Sequence, residues 1–272
     1  MIDGSKLKTL VPHKPIVEAN GISMFKRVEA DRIYACIVDV SRGKGLDYSA
    51  FQIIDVTEMP YEQVCTYRDN FITPAEYAEV IYRTCKGYNE ATILVEINDI
   101  GEQVAELVHY EFEYENILFT ESAGRSGKRI SSGYSKNCDK GIRTTKSVKS
   151  VGCSILKLLI EQEQLILNDW QTIKELSTFS RRGNSYEAES GAHDDLVMCL
   201  VLFAWLSDQS YFKEMTDINT LIQLREKSEQ EMMDSMLPFG FHDDGIDDEN
   251  IVEYTPPENY DYGQYITAGN YN

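Results

Sequence analysis

Three apolar runs with strand character follow one another with only short turns between them: residues 33–40, 49–56 ("SAFQIIDV") and 61–68 ("YEQVCTYR"). The joining stretches "SRGKGLDY" and "TEMP" carry Gly, Asp and Pro, residues that turn a chain back on itself. Neighbouring strands joined so closely form an antiparallel meander, since a parallel crossover needs a dozen or more residues. The pattern then changes. "TPAEYAEVIYRTCKG" opens with Thr73, Pro74 and Glu76 in capping-box spacing and stops at Gly87, which predicts a helix. "ATILVEI" is a short apolar strand ending at Glu96, "IGEQVAELVHYEFEY" an amphipathic helix, and "NILFT" a second short buried strand. The order β-β-β-α-β-α-β predicts an α/β fold: a mixed sheet in which an antiparallel meander is followed by parallel strands, with helices on both faces.

Further along, "SVKSVGCSILKLLIEQEQL" has one apolar stripe, and "HDDLVMCLVLFAWLSDQ" is apolar on nearly every side, as suits a central helix. Between them "STFSRRGNSYEA" reads as a hairpin turning at Arg182, Gly183 and Asn184. Residues 1–30 hold two prolines and no sustained period, which fits a linker or an edge segment, and 31–235 form the expected domain. Residues 236–272 are acidic and rich in Tyr, Asn and Gly, too poor in apolar residues to pack, and are expected to be a mobile tail. No apolar stretch is long enough to span a bilayer. Six scattered cysteines without a CxxC pair suggest neither disulfides nor zinc.

Net charge is −19, which taken alone argues against a polyanionic partner. The charge is uneven, however. Residues 121–150 carry eight basic side chains against two acidic ones, a balance of +6, whereas 231–272 hold ten acids and no Lys or Arg. The basic segment reads as a duplex-binding surface that neutralises phosphates through Arg125, Lys128, Arg129, Lys136, Lys140, Arg143 and Lys146, with Arg181 and Arg182 as a second clamp. A solvated basic loop is the plainer alternative.

Acids stand at the edges of otherwise apolar elements. Asp39 lies near the end of the first strand, Glu96 ends the first parallel strand, and Asp194 and Asp195 open the most apolar helix. Each alone has an ordinary explanation in solvation or helix capping. Together they carry more weight, because the predicted topology sets the first and fourth strands side by side. Clustered carboxylates repel unless cations intervene, and hard oxygen donors suit Mg²⁺ or Mn²⁺. Two such ions could activate water and stabilise the leaving oxygen of a phosphodiester. Asp47, across the first hairpin from Asp39, is either a turn acid or an auxiliary carboxylate. His193 could be a cap, a ligand or a proton carrier, while His13, His109 and His242 have no partner spacing. "SAGRSGKR" has the look of a phosphate loop, but Ser122 and Arg129 stand where Gly and Ser or Thr are required, so ATPase activity is not expected.

Three stretches, "CIVDVSRGKGLDYSAFQIIDV", "TILVEINDIGEQVAELV" and "GAHDDLVMCLVLFAW", resemble the C-terminal nuclease domain of the large terminase subunits of tailed bacteriophages, over about residues 33–208. The resemblance implies an RNase H-like fold, related to resolvases and integrases. It implies metal binding by Asp39, Glu96 and one or both of Asp194 and Asp195, with Asp47 in support. It also implies a two-metal endonuclease that cuts concatemeric double-stranded viral DNA in the host cytoplasm, with little sequence preference, leaving 5′-phosphates and 3′-hydroxyls. The expected partners are the DNA, an N-terminal ATPase domain from which residues 1–30 would be the connection, the portal and the small terminase subunit, with no membrane. The alternatives are a resolvase-like or hybrid nuclease of the same fold, or a non-catalytic docking module of the motor.

Overall fold

A computed structural model of the protein describes residues 2, 4–45, 47–124, 127–131, 133, 138–183 and 185–217, all within one unit spanning residues 1–225. A single turn, α1 (Gly4–Leu7), precedes a short hairpin of β1 (Val17–Ala19) and β2 (Ile22–Met24). The meander follows as β3 (Tyr34–Asp39), β4 (Ser49–Asp55) and β5 (Tyr61–Asp69). Helix α2 (Pro74–Gly87) starts on the anticipated capping box: the Thr73 hydroxyl accepts from the Glu76 N–H while the Glu76 carboxylate accepts from the Thr73 N–H. The chain then crosses to β6 (Thr92–Val95), which pairs parallel to β3. Along the path β1-β2-β5-β4-β3-β6 every pair is antiparallel except that last one.

Alternation along the strands divides the interior in two. On β3, Tyr34, Cys36 and Val38 face a layer formed by α2 and by α3 (Gly101–Glu106), which continues directly into a π-helical turn over Leu107–Glu111. Ala35 and Ile37 face the opposite layer, as does Leu94 of β6. Continuing the period of two puts Asp39 after Ile37 and Glu96 after Leu94, so both acids belong to that second face. Its helices are α4 (Lys146–Glu161), α5 (Trp170–Thr178) and α6 (Asp195–Ser207). Every residue of α6 is buried, as an all-round apolar helix must be.

Before α4 the chain forms a small sheet of β7 (Phe119–Ser122), β8 (Lys128–Ser131) and β9 (Asp139–Lys140), and after it β10 (Leu165–Ile166) pairs parallel to β5. A hairpin of β11 (Phe179–Arg182) and β12 (Ser185–Ala188) leads into α6 and turns where the sequence placed it. Several expectations are corrected. "NILFT" contributes one isolated parallel bridge, Ile93 to Ile117, and then leaves for the small sheet. The basic segment contains strands instead of running only as a loop. Helix α5 was not anticipated, although Asp169 caps it by accepting from the N–H groups of Gln171 and Thr172. Residues 17–24 are an edge of the sheet, joined to β5 through β2, in line with the edge-segment alternative read from the sequence. The expected tail over 236–272 lies outside the described residues.

Beneath α5 and α6 runs a seam of buried amides. Gln52 Nε2 donates to the Leu196 carbonyl at 2.7 Å, and Gln63 Nε2 donates to Gln52 Oε1 at 2.7 Å and to the Thr172 hydroxyl at 3.0 Å. Gln63 Oε1 accepts from the N–H groups of Asn168 and Asp169. Both glutamines are fully buried, and the seam fixes α5 and the first turn of α6 against the sheet.

Helices α4 and α6 cross at Gly152, where a Cβ would stand 2.3 Å from the Val201 carbonyl oxygen. Gly152→Ala should therefore destabilise the protein by about 1–3 kcal/mol through overpacking, opposing the usual gain from Ala in a helix. Urea unfolding of the variant checks this.

Candidate metal centre at the start of α6

The parallel register sets Val38 beside Val95, and the Glu96 N–H donates to the Val38 carbonyl at 2.8 Å, so Asp39 and Glu96 leave adjacent strand ends side by side. The Tyr77 hydroxyl donates to the Asp39 carbonyl, fixing the strand end. Glu96 is held by a close approach: a Cβ on Gly101 would lie 1.9 Å from the Glu96 carbonyl oxygen, so only glycine lets α3 begin there. The Asn98 amide donates to the Glu96 carboxylate at 2.8 Å. Helix α6 brings Asp194 and Asp195 to the same place.

Neither aspartate caps its own helix. Asp194 occupies the cap position without a side-chain hydrogen bond to the helix. The cap comes from α5: Glu175, 3% exposed, accepts with Oε2 from the N–H groups of Leu196 at 2.9 Å and Val197 at 3.3 Å. Arg68 at the end of β5 completes the surroundings. Its Nη2 is 3.3 Å from Glu175 Oε1 and 4.0 Å from Asp195 Oδ2, and its guanidinium lies 3.6 Å above the Tyr48 ring. Asp195 Oδ1 accepts from the Tyr48 N–H at 3.3 Å, whereas its buried Oδ2 has no hydrogen-bond partner. His193 Nδ1 lies 3.7 Å from that same oxygen, with its ring edge-on to Tyr48.

Burial dominates the electrostatics. It pushes the Asp39 carboxyl well above the ordinary range, and Glu96, Asp195 and Asp194 add like-charge repulsion, with a hydrogen bond between Asp39 and Glu96. Burial raises Asp195 to about 6 against the opposing pull of Arg68 and His193, and Glu175 to about 7 against Arg68. Asp194 is also raised by burial, with Lys149 opposing.

Two clefts open on this cluster. Asp39, Asp195 and the exposed Asp47 line one of about 290 Å³; Glu96 and Asp194 line another of about 340 Å³, with Lys146, Lys149 and Tyr186 on its walls. The donors are oxygens, and Asp195 offers an orphaned one, so the chemistry fits a hard divalent cation. Among the described residues no three acids, thiols or imidazoles are grouped to grip one ion by themselves.

The basic residues are distributed less simply than the sequence suggested. Lys128 pairs with Asp139 at 2.6 Å, Arg129 with Glu121 at 2.6 Å, Arg143 with Glu102 at 3.0 Å, and Lys140 with Glu106 at 3.8 Å while lying over Tyr110. Arg181 and Arg182 are exposed on β11. Arg125 and Lys136 lie outside the described residues. Among the described residues of the segment, Lys146 and Lys149 have no ion-pair partner within 4.0 Å, and both line the Glu96–Asp194 cleft.

Because the folded carboxyls have raised pKa values, the folded state holds protons that the unfolded chain releases. Stability of the metal-free protein should therefore fall as pH rises from about 4.5 to about 7. Asp39→Asn removes part of this cost and should raise the metal-free Tm at neutral pH by about 2–4 °C, equivalent to about 1 kcal/mol in a domain of this size. Thermal melts across that pH range check both outcomes.

Comparison with known proteins bears on the family and on the fold. A family model described as the terminase RNase H-like domain matches residues 36–204. The large terminase nuclease from thermophilic phage G20c, solved with bound magnesium, aligns with a TM-score of 0.55 and 22% identity over 74% of this chain and 95% of that one. The same nuclease solved with bound cobalt aligns equally, at 21% identity over 74% and 95%. The large terminase nuclease domain of Thermus phage P74-26 aligns with a TM-score of 0.53 and 22% identity over 73% and 91%. These likenesses establish the fold, and the family match spans more than half of the sequence, including Asp39, Glu96, Asp194 and Asp195. The chain belongs to the terminase RNase H-like domain family.

Proposed function

We propose that this chain is the metal-dependent nuclease of a phage large terminase, an endonuclease that hydrolyses concatemeric double-stranded viral DNA with little sequence preference as packaging starts and ends. One observation carries the reading: Asp39 and Glu96 directly follow the paired Val38 and Val95 at parallel strand ends, and Asp39 shares a cleft with Asp195, one oxygen of which is buried without a hydrogen bond. Mg²⁺ or Mn²⁺, as two ions, would supply an activated water and stabilise charge on the phosphate and the leaving oxygen. Asp39, Glu96, Asp194 and Asp195 would hold them, with Asp47 in support at the mouth of the first cleft. The magnesium and cobalt bound by the G20c nuclease support this choice of cation class.

The remaining residues bind and orient. Lys146 and Lys149 would neutralise backbone phosphates beside Asp194, and Arg181 and Arg182 on the hairpin would extend that contact. The Tyr48 N–H holds Asp195 through Oδ1. The N-terminal ATPase domain, the portal and the small terminase subunit are the partners that family membership suggests.

Asp39→Asn and Glu96→Gln should each reduce plasmid cleavage in Mg²⁺ or Mn²⁺ by at least about 100-fold, in line with loss of a metal-bound nucleophile. Parental rates in both variants would replace catalysis with a docking role. Cleavage should also fall steeply with added salt. Lys146→Ala combined with Lys149→Ala should flatten the logarithmic salt dependence of DNA binding by about 2, one for each phosphate left without its lysine.

A further inference from the structure

Arg68, Glu175 and Asp195 form a buried trio with one permanent cation for two acids, their side chains only 17%, 3% and 11% exposed, and His193 Nδ1 stands 3.7 Å from Asp195 Oδ2 beside them. The guanidinium stands nearer to Glu175, at 3.3 Å, than to Asp195, at 4.0 Å. None of the three is saturated: Arg68 Nε, Glu175 Oε1 and Asp195 Oδ2 are all buried without a hydrogen bond. Glu175 is immobilised through its other oxygen by the N–H groups of Leu196 and Val197. Arg68 is held by its stack on Tyr48, and Asp195 by the Tyr48 N–H. The arrangement leaves one buried carboxylate oxygen without a hydrogen bond and a guanidinium close by that could donate one.

We infer that Glu175 is a positioning residue that holds Arg68 back from Asp195, keeping the open oxygen of Asp195 available to a divalent cation. Without the Glu175 charge, the guanidinium has a single acid to satisfy and moves onto Asp195 in a paired geometry that carboxylates favour. The metal oxygen is then occupied by an internal competitor. A purely structural role for Glu175, as the cap of α6, makes a different demand: any acceptor of the same shape would serve. Glutamine keeps that acceptor, removes the charge and puts an amide NH₂ where Oε1 faced Arg68.

This inference rests on the metal-binding reading above, and the test separates the two. Mn²⁺ is titrated into the metal-free protein without DNA and followed by calorimetry, with thermal melts to verify folding. Glu175→Gln should weaken Mn²⁺ binding about 10-fold or more, the usual scale for a residue that orients a metal ligand. Combining it with Arg68→Gln should bring affinity back to within about threefold of the parent, because the competitor is gone. Arg68→Gln alone, with the cap intact, should bind Mn²⁺ at least as tightly as the parent, so the idea stays testable even if Glu175→Gln misfolds. Parental affinity in Glu175→Gln, no recovery in the double variant, or weaker binding in Arg68→Gln would each overturn it. A parent protein that takes up no Mn²⁺ would instead overturn the metal-binding reading itself.

Discussion

The first turn of α6 has free N–H groups inside the protein, and how they are satisfied decides what the nearby acids can do. A helix start usually recruits its own Asp or Ser, which would have consumed Asp194 or Asp195 in capping. Here Glu175 reaches over from α5 and takes that duty. The two aspartates are thereby released, while the partial positive charge of the helix end still favours anions beside it. Acids from β3 and β6 then arrive at a place already suited to negative charge but overfilled with it. Burial raises the carboxyls of Asp39 and Asp195, and the neighbouring acids add to it.

Such overfilling has a cost in the metal-free state and a use in the loaded one. Local instability at functional sites is a common trade between activity and stability. The surrounding architecture is correspondingly firm: α6 is buried along its whole length, packs closely on α4 at Gly152, and is tied to the sheet by Gln52. The strain is confined to the side chains at one end of a well-anchored helix.

Much of this was legible in the sequence. The meander, the capping box of α2, the apolar helix and the neighbouring strand ends that carry Asp39 and Glu96 all follow from periods and turns that depend on nearby residues. What escaped depends on irregularity or distance. Arg68 is the clearest instance. Ile53 pairs with Cys65 while Ile54 pairs with Gln63, so β5 carries an extra residue at Val64. Strict alternation from Gln63 would put Arg68 on the α2 face, but the bulge reverses the parity and directs it to α5 and α6. Glu175 escaped because an acid in a short amphipathic helix looks solvated until the distant helix it caps is known. The pairing of Lys128, Arg129 and Arg143 with acids was equally invisible, since each of the three acids lies on a different element from its base.

The glutamine seam has a consequence for how relatives of this chain can diverge. Gln63 uses its oxygen and its nitrogen for four neighbours, and Gln52 relays the contact to the backbone of α6. An apolar replacement at either position strands the others as buried, unpaired groups. Gln52, Gln63 and Thr172 are therefore bound to a shared inheritance, drifting together as a set or staying as they are.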